Sequence, residues 1–280
     1  MKISRLLEVF ENFLPRETAM DGDRVGLQVQ AGNEDVSRLL VTMELNPGVI
    51  KEANDNLCNC IITFHPLIFH PLTSINNSDR VGNLITKLIE HKISLISVHT
   101  NYDAFAHGTN RLFADRLGLP EGEFLVRDKN YENHGMGMLC SLKNEITIQE
   151  LLLKIQSICN SPIRFCKGAD QKIKKIAIVC GSGSSFIDDA YTSGADVFIT
   201  ADISYHHFHK MNGKMGLIDP GHYEMEQFVG YGLTNELKTR ILNDIETIIF
   251  SKVHTNPVIY HPDDGSYINE QKKFLINIEG

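Results

Sequence analysis

Positive charge is in short supply in this 280-residue sequence: 27 Lys+Arg stand against 35 Asp+Glu, for a formal net charge of −8. That balance excludes a strongly basic nucleic-acid binder and leaves room only for a local basic patch. No apolar run approaches the roughly 18 residues needed to cross a bilayer. Glu8 and Glu11 break the one N-terminal stretch that resembles a signal or transit peptide, so a cytoplasmic protein without membrane contact is expected. There is also no disulfide framework. Cys58, Cys60, Cys140, Cys159, Cys166 and Cys180 sit mostly within apolar stretches, as buried reduced thiols do. Cys58 and Cys60 have no second cysteine pair with which to complete a zinc knuckle. The sequence also lacks the P-loop lysine and the full dinucleotide fingerprint.

What is present points to a globular protein. Hydrophobic residues make up 42% of the chain, enough for real cores, and at about 150 residues per domain the length suggests two domains. Ile3, Leu6, Leu7, Phe10 and Phe13 recur at helical spacing before Pro15. Strands are expected at 38–44, 61–64 and 94–99. A helix capped by Asn46 with Pro47 in its first turn follows the first strand, and a helix over 80–91 follows the second. Mixed signals follow, with a strand near 136–142, a helix opened by the capping box Thr147 to Glu150, and a strand near 163–166. A second alternating series has strands at 175–180, 196–200 and 217–219, a helix at 186–193, another after Asp202, and a long one from His222. This alternation predicts an α/β protein of two lobes with mainly parallel or mixed sheets. Their expected extents are 1–125 and 126–257, followed by a tail over 258–280 with a turn at Pro262 to Gly265.

Sites in such sheets are built by loops leaving the carboxyl ends of strands. There the sequence places Thr63-Phe64-His65-Pro66, His99-Thr100-Asn101-Tyr102-Asp103, and Asp219 through Glu226. If a helix begins near His222, then His222 and Glu226 share a face. His65, Asp103, His222 and Glu226 are a donor set suited to first-row divalent metals, with no thiolate among them. Two ions roughly 3.5 to 4 Å apart would supply hydroxide at neutral pH. The plainer reading of the same residues is a strand-end cap and an i,i+4 surface pair. The turn Gly181-Ser182-Gly183-Ser184 reads either as an anion cradle or as a structural turn. Asp202, Tyr205, His206 and His207 read either as groups near the metals or as an exposed helix start capped by Asp202.

Several blocks together resemble the GTP cyclohydrolase I type 2 homologue family, the Nif-three-like dinuclear-metal proteins. They are Asp23-Arg24-Val25-Gly26-Leu27-Gln28, Phe64-His65-Pro66-Leu67-Ile68-Phe69, His99-Thr100-Asn101-Tyr102-Asp103-Ala104, Gly181-Ser182-Gly183-Ser184, Gly194 through Asp202, and Leu217 through Glu226. The resemblance runs to about Pro257 and implies two α/β lobes with a metal pair in the cleft between them, in subunits that form a homohexamer. It assigns the metal ligands to His65, Asp103, His222 and Glu226. Zn, Fe, Mn or Ni would serve, at one or two ions per chain. Where the family carries two consecutive histidines, the first position here is Phe64, and His99 or His70 is the substitute ligand to look for. Gly22 and Arg24 also depart from the family pattern. The interval from Asp103 to Gly181 is too short for the domain that some relatives insert.

The resemblance thus implies a metal-dependent hydrolase-like protein acting on a nucleotide or related heterocycle. His65 and His222 would be neutral ligands, Asp103 and Glu226 anionic ones, and His99 or His206 proton carriers, with activity falling at low pH. Another class of reading stands beside it: a metal-binding or metal-delivery protein without turnover, which the loss of a ligand at Phe64 favours. A third is a scaffold with an empty site.

Overall fold

The apolar positions at helical spacing near the N-terminus become one buried stripe: Ile3, Leu6, Phe10 and Phe13 are the inward face of α1 (Ile3–Phe13). At about 1.5 to 3 kcal/mol for each large side chain removed from water, this stripe anchors the helix. In the computed structural model, residues 1–32, 34–169 and 172–261 are described. The turn expected at Pro262 to Gly265, and most of the tail, lie outside them.

The first compact unit comprises Met1–Asp115, Gly122–Met138 and Glu226–Thr255. After α1 come β1 (Gly26–Val29), β2 (Arg38–Thr42), α2 (Pro47–Asp55), β3 (Cys60–Thr63), α3 (Arg80–Glu90), β4 (Ser94–Ser97), α4 (Thr100–Ala104), α5 (Thr109–Arg116) and β5 (Glu123–Arg127). Asn46 caps α2 by accepting from the Val49 N–H, and Asp79 caps α3 by accepting from the Gly82 N–H. Strands β2, β3 and β4 pair in parallel with register Leu40↔Ile61↔Leu95, and all three residues are fully buried. On α3, Leu84, Ile85 and Leu88 are buried while Ile89 is half exposed.

The second unit comprises Arg116–Glu121, Leu139–Met225 and the residues from Asn256. Its elements begin with β6 (Gly135–Thr147), whose first residues belong to the first unit, and continue with α6 (Ile148–Cys159), β7 (Arg164–Cys166), β8 (Lys172–Ile178), α7 (Ile187–Thr192), β9 (Val197–Ile199), α8 (Tyr205–Met211), β10 (Gly216–Asp219) and α9 (His222–Glu226). Strands β8, β9 and β10 pair in parallel, and β7 joins β10 antiparallel at the sheet edge. The capping box of α6 forms as expected, with Thr147 accepting from the Glu150 N–H at 3.2 Å and Glu150 accepting from the Thr147 N–H at 2.7 Å. Thr147→Ala should therefore cost about 1 kcal/mol of stability, read as a lower denaturant midpoint at unchanged slope.

Two features correct the sequence reading. The long helix expected from His222 is two helices, α9 and α10 (Val229–Ile241), interrupted at Gln227 and Phe228. From Glu226 to Thr255 the chain does not stay with the second lobe, and α10 already belongs to the first unit. The chain then forms β11 (Thr247–Phe250), which pairs in parallel with β2 and completes the order β1–β4–β3–β2–β11, with β1 antiparallel on the far edge. The expected lobe limits at 125/126 and 257/258 are thus replaced by a discontinuous division in which Glu226 belongs to the first unit and His222 to the second. Neither β1 nor β11 carries a strong sequence signal, since each is a four-residue edge strand.

Candidate metal centre

Within the first unit, the parallel ladder of β2 and β3 continues two residues past the strands. Phe64 and His65 donate their backbone N–H groups to the carbonyls of Thr42 and Met43, each at 3.0 Å. That extension fixes His65 beside Glu44, the residue two places beyond β2. Its Nδ1 lies 2.8 Å from Glu44 Oε1 and its Nε2 3.3 Å from Glu226 Oε2, with Glu226 only 3% exposed. Burial alone would depress the imidazole, but Glu226 and Glu44 hold it up at about 10. A pair of carboxylates closing on one buried ring is a field that favours a cation.

Asp103 comes from α4, immediately after the neighbouring strand β4, and is buried. Desolvation and, second, the charge of Glu226 push its carboxyl well above the ordinary range, against the pull of His99, a hydrogen bond from Thr109 and the charge of His65. Its Oδ1 is buried without a hydrogen-bond partner. An orphaned carboxylate oxygen next to a second buried carboxylate fits a bound cation, which would satisfy both. His65 and Asp103 are thus brought to one strand edge, as their positions after adjacent parallel strands imply.

His99 sits between them in sequence and is held differently. Its Nδ1 is 2.8 Å from Asp23 Oδ1, while Asp23 Oδ2 accepts from the Thr100 N–H at 3.1 Å. Burial opposes ionisation of Asp23, but His99 and Thr100 outweigh it and lower the carboxyl to about 2. Because the folded value lies below the ordinary one, this pair stabilises the fold above about pH 4 and loses its contribution as pH falls toward 2. Asp23→Asn is expected to cost about 1 to 2 kcal/mol at pH 7, with the difference from wild type vanishing near pH 2 in denaturant titrations at a series of pH values. His70, the other substitute named from sequence, is exposed and packs its ring against Phe69.

In the second unit, His222 opens α9 and its Nδ1 lies 2.7 Å from Asp202 Oδ2. Asp202 occupies the left-handed region at φ +54, a conformation Asp tolerates better than most residues. The hydroxyl of Ser182 also donates to this carboxylate, and His222 first, with Ser182, outweighs the opposing effect of burial and lowers it to about 2. Asp202 is therefore not the cap of α8. Ser204 is, accepting from the His207 N–H. The turn over Gly181 to Ser184 is structural where an anion cradle was the alternative: the Gly183 N–H is taken by Thr200 Oγ1 at 2.9 Å, and a Cβ at Gly183 would sit 2.5 Å from that oxygen. His206 is exposed on α8 with its ring edge-on to Tyr205.

Buried Asp219 organises this region. It accepts from Arg164, from the Ile203 N–H at 3.1 Å and from the Gly221 N–H at 3.1 Å, tying down the loops that present Asp202 and His222. His222 and Glu226 lie four positions apart on one helix, so they share a face. The acids that orient the rings, Glu44 and Asp23, were not read from sequence as partners of histidine. Their only signal was position at a strand end and in a loop 76 residues from its partner. The cysteines are free thiols, with burial pushing Cys58 up to about 11, in keeping with inert structural groups.

No helix among the described residues is long and apolar enough to cross a membrane. A family model described as Duf34/NIF3 (NGG1p interacting factor 3) matches residues 1–257. A GTP cyclohydrolase 1 type 2 homolog of Clostridium perfringens is 32% identical over 252 residues, spanning 89% of this chain and 96% of that protein. One from Lactococcus lactis is 34% identical over 238 residues, spanning 82% and 89%. The crystal structure of a hypothetical protein of Staphylococcus aureus superposes with a TM-score of 0.80 at 30% identity, covering 93% of this chain and 99% of that one. That of a Bacillus cereus protein related to NIF3 gives 0.84 at 24% identity with the same coverage, a likeness of fold. With the model matched along nearly the whole length and relatives above 30% identity covering most of it, the protein belongs to the Duf34/NIF3 family.

Proposed function

We propose that the chain is a divalent-metal protein acting as a hydrolase on a nucleotide or related heterocycle, with His65, His222 and Glu226 as metal ligands and buried Asp103 as a fourth. One observation carries this reading. Three histidines, His65, His99 and His222, each have Nδ1 within 2.8 Å of a different carboxylate, those of Glu44, Asp23 and Asp202. That partnership fixes tautomer and ring orientation and presents Nε2 for coordination. A divalent ion bound there supplies Lewis acidity, polarising a substrate bond toward attack by water. Glu44 and Asp202 orient the ligand rings, and Asp23 orients His99, which is the candidate proton carrier beside His65. His206 is a second candidate carrier, from the other unit. The names of the relatives point to GTP as the first substrate to try, and the family resemblance adds a cytoplasmic homohexamer. A second reading, metal capture or delivery without turnover, is favoured by Phe64, whose fully buried apolar ring lies against His65.

Both readings predict that His65→Ala loses divalent-metal binding in isothermal titration. They separate on turnover of GTP and phosphorylated heterocycles by metal-replete wild type. Product formation that chelation abolishes and His65→Ala lacks establishes the hydrolase, whereas metal binding without product establishes the carrier. Unchanged thermal stability after chelation would remove the metal from both.

A further inference from the structure

We infer that this chain holds a single metal ion, and that Phe64 is the residue that sets that limit. The inference rests on the metal reading proposed above. Phe64 is fully buried, and its backbone is pinned by the bond from its N–H to the Thr42 carbonyl. Its ring centroid lies 4.8 Å from that of His65 and 5.5 Å from that of His99, while the two histidine rings are 5.2 Å apart. The three rings close a triangle of which one corner has no donor atom.

Counting donors leads to the same result. A four-coordinate ion uses about four ligands, and His65, Asp103, His222 and Glu226 supply that number. A second ion sharing one bridging carboxylate would need roughly three more protein or solvent groups of its own. Glu44 and Asp23 are occupied by imidazole Nδ1 atoms. Among the described residues, His99, through Nε2, stands on the Phe64 side besides Asp103. The wall that would complete a second site is the apolar ring of Phe64, which neither coordinates an ion nor leaves space for water at 0% exposure. On this reading Asp103 serves the same ion as Glu226, both being buried carboxylates. An imidazole at position 64 would project from the same pinned backbone between His65 and His99 and supply the missing donor.

The test is metal stoichiometry. Protein loaded with excess Mn(II) and desalted is expected to retain about one ion per chain by elemental analysis, with the six-line paramagnetic resonance spectrum of an isolated ion; Phe64→His should rise to about two ions with an exchange-coupled spectrum. Phe64→Leu, apolar like the wild type, should stay at about one. Two coupled ions in the wild type, or a Phe64→His variant that folds and still holds one, would overturn the inference and leave the metal reading standing. No retained ion in the wild type would overturn both. If Phe64→His does not fold, the wild-type spectrum alone decides between one ion and two.

Discussion

Asp103→Asn should make the metal-free protein more stable while removing most of what a divalent ion contributes. In the wild type, two buried carboxylates, Asp103 and Glu226, oppose each other's charge, and Asp103 Oδ1 has no hydrogen-bond partner. Removing one negative charge at pH 8 relieves desolvation and repulsion, a gain of about 1 to 2 kcal/mol, or roughly 2 to 8 °C in Tm for a unit of this size. Losing an anionic ligand lowers metal affinity by more than the roughly 10 to 100-fold cost of an orienting partner. At about 1.4 kcal/mol per decade, a 100-fold loss removes about 2.7 kcal/mol of ion-dependent stabilisation. Thermal unfolding with and without excess Mn(II) measures both. A variant that is less stable without metal, yet still stabilised by it, would mean that Asp103 is a structural hydrogen-bonding group.

Asp219→Ala should be the more damaging change, because it strips a buried carboxylate from three donors at once. Arg164 keeps much of its solvent contact, but the N–H groups of Ile203 and Gly221 have no other anchor in the arrangement described. We expect a loss of about 3 kcal/mol, accompanied by weaker metal binding, since those two loops present Asp202 and His222. Asp219→Asn, which retains an acceptor, should recover part of the stability. If Asp219→Ala bound metal as tightly as wild type in calorimetry, the second loop anchor would be irrelevant to the centre.

Most of the helices and central strands were legible because each depends on local pattern: the stripe of α1, the Asn46 and Thr147 caps, and the apolar runs of β2, β3 and β4. The candidate ligands were legible for a related reason, since strand ends in alternating α/β sequence collect functional side chains. What escaped was non-local. Glu44 reaches His65 from a neighbouring strand, Asp23 reaches His99 across 76 residues, and Asp202 reaches His222 across 20. No periodicity encodes such pairings. The break between α9 and α10 and the return of β11 escaped for the opposite reason, because helical and strand propensity continue through places where tertiary packing redirects the chain.

That return has a consequence for biosynthesis. A nascent chain from which only the first 225 residues have emerged lacks both Glu226 and the β11 neighbour of Arg38–Thr42. The N-terminal unit is therefore completed only after Leu139–Met225 of the other unit has left the ribosome. Truncated translation products would expose the flank of β2 as a sticky backbone edge.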